Sequence, residues 1–542
     1  MKTMKRIFSV LLALAMLLSV ISISAMAEGQ TEYTIIGGQS ALSPGYKDNV
    51  VLNQLQEETG ISINWNTMSD SLSEQVNIHI AGGDLPDAFL GVGFNNYNLA
   101  TYGEDGTFID LTPYMNADVM PNLTAILEEH PDFRAAITQA DGCIYGLPSG
   151  DQMTTAGIGK EGDYNIGAIP QFSMINKVWL DDLGLAMPTT LDELHDVLVA
   201  FKENDMAAKI YGAAPGSTIP MSTGFDQWCW GQNIFYAGFG FTNYPTDVGI
   251  ADLVLEPGGK ANFVCDDDNY RAAVTYFHDW YAEGLMDIEM FSQDTTQLMA
   301  KCQQGWVGVS TWWYIEELMG DYAKDYVFLP VLAGPNGDYY VNIRTGGAIT
   351  SGQLTITEAC KDPTNLLKFF DKWYDGKTVM QLQYGPYGVY FIGEDENGVW
   401  LALSEEQGRE MFGKSPGELK GEYEVWGPKL ILAEYYRDVA KMEPRAVDRL
   451  EDLYEFWMPF VSDDTAFPCD CTYTLDELET IDRYRADFES AVSEQEGLWI
   501  KNGGPTDDEW EAYKKMLSNN CGMDKLLEIY QNAYDRYVAA EK

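Results

Sequence analysis

Histidine is scarce in this chain. Only His79, His130, His195 and His278 occur in 542 residues, and no two stand at the HExxH spacing of a zinc peptidase. His195 and His278 lie on predicted helices among acids, where they read as solvated positions. There is no GxSxG elbow, which argues against an α/β-hydrolase. A Walker loop is also missing, and "GVGFNN" lacks the glycine spacing of a dinucleotide fingerprint. Basic side chains are few: 34 Lys and Arg stand against 83 Asp and Glu, for a formal charge of −49. Affinity for phosphate backbones comes largely from Lys and Arg, so a chain this acidic repels DNA, RNA and anionic membranes, and no nucleic-acid partner is expected.

Cysteine contributes little. Cys143, Cys229, Cys265, Cys302, Cys360, Cys469, Cys471 and Cys521 are widely scattered. They permit disulfides in an exported protein, but a chain of this size does not need them. "CDC" at 469–471 has no second Cys/His pair nearby. "EDENG" (394–398) and "CDDDN" (265–269) carry clustered carboxylates, yet neither matches an EF-hand loop. They predict a hairpin turn and a helix N-terminus instead. No catalytic residue, cofactor or metal ligand is assigned. With 83 acidic residues, the paired carboxylates of a glycosidase stay open.

What is present begins with the leader. Lys2, Lys5 and Arg6 precede an apolar run from Ile7 to about Ile23, followed by "SAMAEG" with Ala25 and Ala27. This is the order of a secretory signal peptide cleaved after residue 27. No later run reaches the 18 apolar residues that span a bilayer. Loss of the leader's three positive charges brings the balance from −49 to about −52. Roughly 515 residues remain, enough for two cores.

"YTIIGG" (33–38) reads as a buried strand, and "KDNVVLNQLQEETG" as a helix with Val51, Leu55 and Thr59 on one face and Gly60 as its stop. "ISINWN" alternates as a strand, "LSEQVNIHIAGG" is a second helix and "PDAFLGVG" a third strand. Strand–helix–strand–helix–strand predicts a parallel sheet, whose ligands sit beyond the carboxyl ends of its strands. Those ends are Gly38–Ser40 and Gly91–Asn96. A second α/β region starts near Pro170. It includes "TTLDELHDVLVAFKEND", with Thr190 and Glu193 at capping-box spacing, and the helix "NYRAAVTYFHDWYAEGL" closed by Gly284. "GWVGVSTWWY" predicts a strand, "YVNIRTGGAITSG" a crossing segment and "VYFIGEDENGVWLAL" a hairpin. From about residue 430 the pattern is mainly helical.

Aromatic residues are abundant, and three clusters fall among polar residues. "GFDQWCWGQNIFY" (224–236) places Phe225, Trp228 and Trp230 beside Asp226, Gln227, Gln232 and Asn233. Trp312, Trp313 and Tyr314 follow a predicted strand, and Tyr384, Tyr387 and Tyr390 surround Pro386 and Gly388. Sugars have polar edges and apolar C–H faces, so flat rings bordered by hydrogen-bonding groups suit them. The competing reading is that the same rings fill cores.

In order along the chain, "QLQEETGISINW", "IHIAGGDLPDAFLG", "YGEDGTFIDLTPYM" and "MINKVWLDDLGLAMPTTLDELHDVLVAFKEND" resemble the extracellular solute-binding proteins of family 1. So do "AAVTYFHDWYAEGLMDIEMFSQD", "KCQQGWVGVSTWW" and the closing "WIKNGGPTDDEWEAYKKMLSNNCGMDKLLEIYQNAYDRY". These proteins are carbohydrate receptors of ABC importers, and the likeness is to their long, lipoprotein-like branch. The resemblance implies an α/β, periplasmic-binding-protein-like type II fold. It further implies a signal peptide at 1–27, one lobe of 28–165 plus 345–430, and another of 166–344 plus 431–542 with a helical C-terminal region. By position it implies ligand contacts from Gln39, Ser40, Phe94 and Asn95 in the first lobe. In the second it implies contacts from Trp228, Trp230, Trp312 and Trp313; Phe225 and Asp226 beside the first pair, and Tyr387 of the tyrosine cluster, are candidates from the aromatic clusters themselves. Arg344, near the hinge, would bind ligand or lock the hinge.

Many Gram-positive relatives carry a lipid on a leader Cys, which is missing here, so release without lipidation or a periplasmic location is expected. The expected function is that of a monomeric, non-enzymatic receptor passing an oligosaccharide to an importer permease. Two alternatives remain: the same scaffold holding a peptide or another polar solute, and a secreted carbohydrate-active enzyme. A glycan array run against a peptide library separates the first, and product formation reveals the second.

Overall fold

The computed structural model describes residues 31–139, 141–152, 172–225, 231–241, 253–312, 315–337, 339, 349–442, 444–460, 467–468, 471 and 473–540. The expected signal peptide lies outside them. Fifteen strands are seen among the described residues. In chain order they are β1 (Glu32–Gly38), β2 (Ser62–Met68), β3 (Ala88–Leu90), β4 (Leu147–Asp151), β5 (Phe172–Asn176), β6 (Ile219–Met221), β7 (Leu253–Glu256) and β8 (Lys260–Phe263). After them come β9 (Val307–Trp312), β10 (Tyr326–Phe328), β11 (Thr350–Ile356), β12 (Phe391–Glu394), β13 (Trp400–Ala402), β14 (Leu430–Ile431) and β15 (Ala440–Lys441).

Six strands form the first sheet, in the order β14-β4-β11-β3-β1-β2, with β1 parallel to both β2 and β3. The predicted parallel unit is therefore present, and its reasons are local. Helix Val50–Thr59 begins at Asn49, whose side chain accepts from the N–H groups of Val51 and Leu52, and it ends at Gly60 with φ 70°. Val51, Leu52 and Leu55 enter the core, while Thr59 stays at its edge and returns its hydroxyl to the Leu55 carbonyl. The chain comes back to this sheet late, as antiparallel β11 and as β14 parallel to β4. Gly352 in β11 permits a tight approach. A Cβ there would lie 2.0 Å from the carbonyl oxygen of Phe94, whose own N–H donates to the Gly352 carbonyl.

The second sheet runs β10-β5-β9-β6, with only β6 and β9 parallel. Helix Leu191–Glu203 covers it through buried Leu191, Leu194, Leu198 and Phe201. Its capping box is half formed: Thr190 Oγ1 accepts from Glu193 N, but the Glu193 carboxylate turns to the N–H and hydroxyl of Thr189. β12, β13 and β15 form a small third sheet, and β7 and β8 pair as a hairpin. "EDENG" is the turn between β12 and β13, where Asp395 accepts from the N–H groups of Asn397 and Val399. "CDDDN" opens helix Asp268–Ala282, as expected. The C-terminal region is helical, and its helix Leu475–Asn502 lies along Asp268–Ala282.

Candidate functional site

The carboxyl ends of β1 and β3 meet beneath one tryptophan. A Cβ on Gly38 would stand 2.8 Å from Cε3 of Trp426, and one on Gly91 3.1 Å from its Cβ. Only glycine lets the indole rest on the strand ends this closely. Gly427 has φ 145°, and a Cβ there would meet Leu90 Cδ1 at 2.6 Å. The backbone N–H of Trp426 donates to the Tyr46 hydroxyl at 2.6 Å, which donates to the Gly38 carbonyl at 2.8 Å. Although anchored on this side, the Trp426 residue is still 38% exposed.

A cavity of about 290 Å³ opens beside Trp426, close to the lower end of small-ligand sites at roughly 300 Å³. Its walls include Asp151, Gln353, Gln383, Glu424 and Lys429. Lys429 is only 5% exposed, and its ammonium donates to Gln383 Oε1. Burial pushes its pKa down to about 8, helped by Lys420 and opposed by Glu424 and Asp151. Asp151 accepts a 2.6 Å hydrogen bond from the Tyr436 hydroxyl, which sits 2.8 Å from that of Tyr384. Burial raises both phenols well above the ordinary tyrosine range, so they stay protonated.

At the carboxyl ends of β6 and β9, polar groups knit the second sheet together. Ser310 donates to the Ser222 carbonyl at 2.7 Å, and Thr311 to the Gly231 carbonyl at 2.8 Å. The Lys301 ammonium reaches Asp287 at 2.7 Å, Glu289 at 2.6 Å and Gln293 Oε1 at 2.9 Å, and Ser222 donates to Asp287 at 2.6 Å. A bridge pairs Gly224 with Gly231. Beyond it, Gln232, Tyr236 and Tyr270 all donate to buried Glu496 of helix Leu475–Asn502. The aromatics at the end of "GFDQWCWGQNIFY" are thus core: Phe235 and Tyr236 are buried.

The expected site residues fare unequally. Gln39 and Ser40 lie beyond β1, but Gln39 is engaged by Thr67 and Ser43, and the Ser40 hydroxyl accepts from Leu42 N. Phe94 requires correction, because it is 8% exposed and packs edge-on against Phe89, Tyr102 and Phe108. Asn95 is the exposed N-cap of helix Asn96–Glu104. Phe225 packs on Phe291 with ring centres 4.9 Å apart. Trp312 is likewise corrected: it is 6% exposed, sits in a core cluster with Met174 and Leu318, and donates its indole N–H to Glu317 at 2.9 Å. Tyr387 is 45% exposed and lies against Trp400, whereas its neighbours Tyr384 and Tyr390 are buried. Asp226, Trp228, Trp230, Trp313 and Arg344 lie outside the described residues.

No protein-family model matches the chain. It is 32% identical over 515 residues to the fructooligosaccharide ABC transporter substrate-binding protein FusA of Streptococcus pneumoniae, covering 92% of this chain and 89% of that protein. The chain belongs to the ABC-transporter substrate-binding proteins. Lipoprotein LipO of Bacillus subtilis is 25% identical to this binding protein over 413 residues, 72% of this chain and 74% of LipO. The solved structure of FusA in complex with kestose matches with a TM-score of 0.85 at 30% identity, covering 94% of this chain and all of that one. An HMO-binding, ABC-transporter-associated solute-binding protein from Bifidobacterium longum infantis, at 21% identity and TM-score 0.76, shares the fold, with 94% and 99% of the two chains covered. The type II periplasmic-binding-protein-like architecture follows, as does a binding rather than catalytic role. No helix among the described residues is long and apolar enough to cross a membrane.

Two side chains of this binding protein escaped the reading from sequence, Trp426 and Lys429. The signal available was "EVWGPK", a tryptophan followed by Gly-Pro among charges.

Proposed function

We propose that this binding protein captures a neutral oligosaccharide, such as a fructooligosaccharide, and delivers it as a monomer to an ABC importer permease outside the cytoplasm. In this reading the first lobe comprises residues 28–165 and 345–430, and the second 166–344 and 431–542, with the leader removed and no lipid attached. One observation carries the reading. An anchored, part-exposed indole lies across the ends of two parallel strands, beside a cavity walled by amides and charged groups. The ring offers an apolar face to sugar C–H groups, and the amides and carboxylates suit its hydroxyls. Asp151 and Glu424 outnumber Lys429 on these walls, which disfavours uronates and other anionic ligands. FusA, similar along nearly its whole length, is named for fructooligosaccharides. Trp228, Trp230, Trp313 and Arg344 are proposed to complete the site from the second lobe and the crossing segment.

The test is calorimetric titration with kestose-type fructooligosaccharides, neutral glucose oligomers and oligogalacturonates. Binding of a neutral glycan is expected, with Trp426→Ala weakening it at least about tenfold, the loss of a buried aromatic contact. Wild-type affinity in that variant would move the site elsewhere, and binding of oligogalacturonates alone would refute the neutral ligand.

A further inference from the structure

We propose that Lys429 is a specificity-determining residue of this site, donating hydrogen bonds from the cavity wall to ligand hydroxyl or ring oxygens beside Trp426. This rests on the oligosaccharide reading above.

An ammonium has three donors and no acceptor. Among the described residues, the Lys429 ammonium gives one hydrogen bond, to Gln383 Oε1. The residue is 5% exposed and lines the cavity, so the other two can be met only by what occupies the cavity. Burying a cation whose donors are partly unspent is costly, and a structural role would be met as well by an apolar side chain of similar length. The cost is intelligible if a ligand supplies the missing acceptors.

The surroundings favour a neutral acceptor. Asp151 and Glu424 act on Lys429 from two separate elements, β4 and the segment before β14, and Lys420 opposes them. The nearby phenols of Tyr384 and Tyr436 remain neutral. With two carboxylates already biasing this ammonium, a hydroxyl or ring oxygen accepts from it without adding a third negative charge. Its backbone is fixed too, because the Lys429 carbonyl accepts from Gly150 N at 2.7 Å. The side chain therefore projects from a defined point between β4 and β14.

Charge sets the direction of the pH effect. Burial lowers the Lys429 pKa to about 8, so the ammonium and its full donor set are present below that pH. Above it the group becomes a neutral amine, a weaker donor, and affinity falls.

The experiment compares the whole protein with its Lys429→Met variant, titrating kestose by calorimetry between pH 6 and 10, with a thermal melt of each apoprotein. Methionine keeps the apolar reach and removes the donors. The expected result is a loss of affinity of about ten- to hundredfold at pH 7, from missing charged hydrogen bonds. The wild type should weaken above pH 8 while the variant stays flat, and the variant should melt no lower than the wild type. Equal affinity with the same pH profile would overturn the proposal. So would a lower melting temperature with unchanged binding, which would make the lysine structural. A wild type that binds no glycan, or binds only oligogalacturonate, would overturn the oligosaccharide reading and this role with it.

Discussion

Replacing Glu496 by leucine withdraws an acceptor on which three donors converge: Gln232 Nε2 at 3.1 Å, Tyr270 Oη at 2.7 Å and the Tyr236 hydroxyl. All four residues are buried, Glu496 being 1% exposed. Each buried donor left without an acceptor costs roughly 1–3 kcal/mol. Phenolic hydrogens can rotate toward other acceptors, and a buried leucine returns about 1.5 kcal/mol of transfer energy. The net destabilisation is then about 3–5 kcal/mol. For a unit of roughly 150–250 residues, 1 kcal/mol moves the melting temperature by about 2–4 °C. E496L should therefore melt about 6–20 °C below the wild type in differential scanning calorimetry. Glu496→Gln keeps the shape and one acceptor oxygen, so it should fall between the two. If E496L melts within about 2 °C of the wild type, the Glu496 carboxylate contributes little to holding this junction and the reasoning fails.

Two further outcomes can be checked with the same materials. Asp452 has its pKa raised to about 6, first by burial and then by Asp448, Glu455 and Glu451. An unfolded aspartate titrates near 3.9, so folding takes up a proton between about pH 4 and 6, and the stability this brings is lost as pH rises through that window. Asp452→Asn should thus raise the melting temperature at pH 7.5 and leave it unchanged at pH 4. Gly38→Ala puts a carbon 2.8 Å from Trp426 Cε3; the displaced ring should weaken glycan binding by at least about fivefold, the equivalent of 1 kcal/mol of overpacking. Calorimetry at matched temperature reads it.

Much of the first sheet was legible because its causes are short-range. Asn49 and Gly60 bracket a helix by capping alone, and the alternation of Ile61 and Ile63 belongs to a strand wherever it is found. The strand ends on which Trp426 rests were legible as well, since they depend only on strand direction. The identity of the side chains there did not. Trp426 is held by Tyr46, which is 380 residues away in sequence, so no local pattern marks it. Phe94 and Trp312 misled for the opposite reason. A ring next to a strand end looks the same in sequence whether it faces a cleft or turns inward onto Phe89 or Met174. Burial separates these cases, and burial is set by contacts the sequence does not print. Tyr384 and Tyr390 teach the same lesson, their clustering being that of a core.

The hydrogen bonds to Glu496 also bear on how the chain is born. Gln232, Tyr236 and Tyr270 precede it by 264, 260 and 226 residues. A ribosome adding about 5–20 residues each second needs roughly 13–53 s to travel the longest of these intervals. Throughout that time the Glu496 carboxylate they share in the finished fold has not been made. This junction between residues 232–270 and helix Leu475–Asn502 is therefore completed only once almost the last stretch of polypeptide has been made.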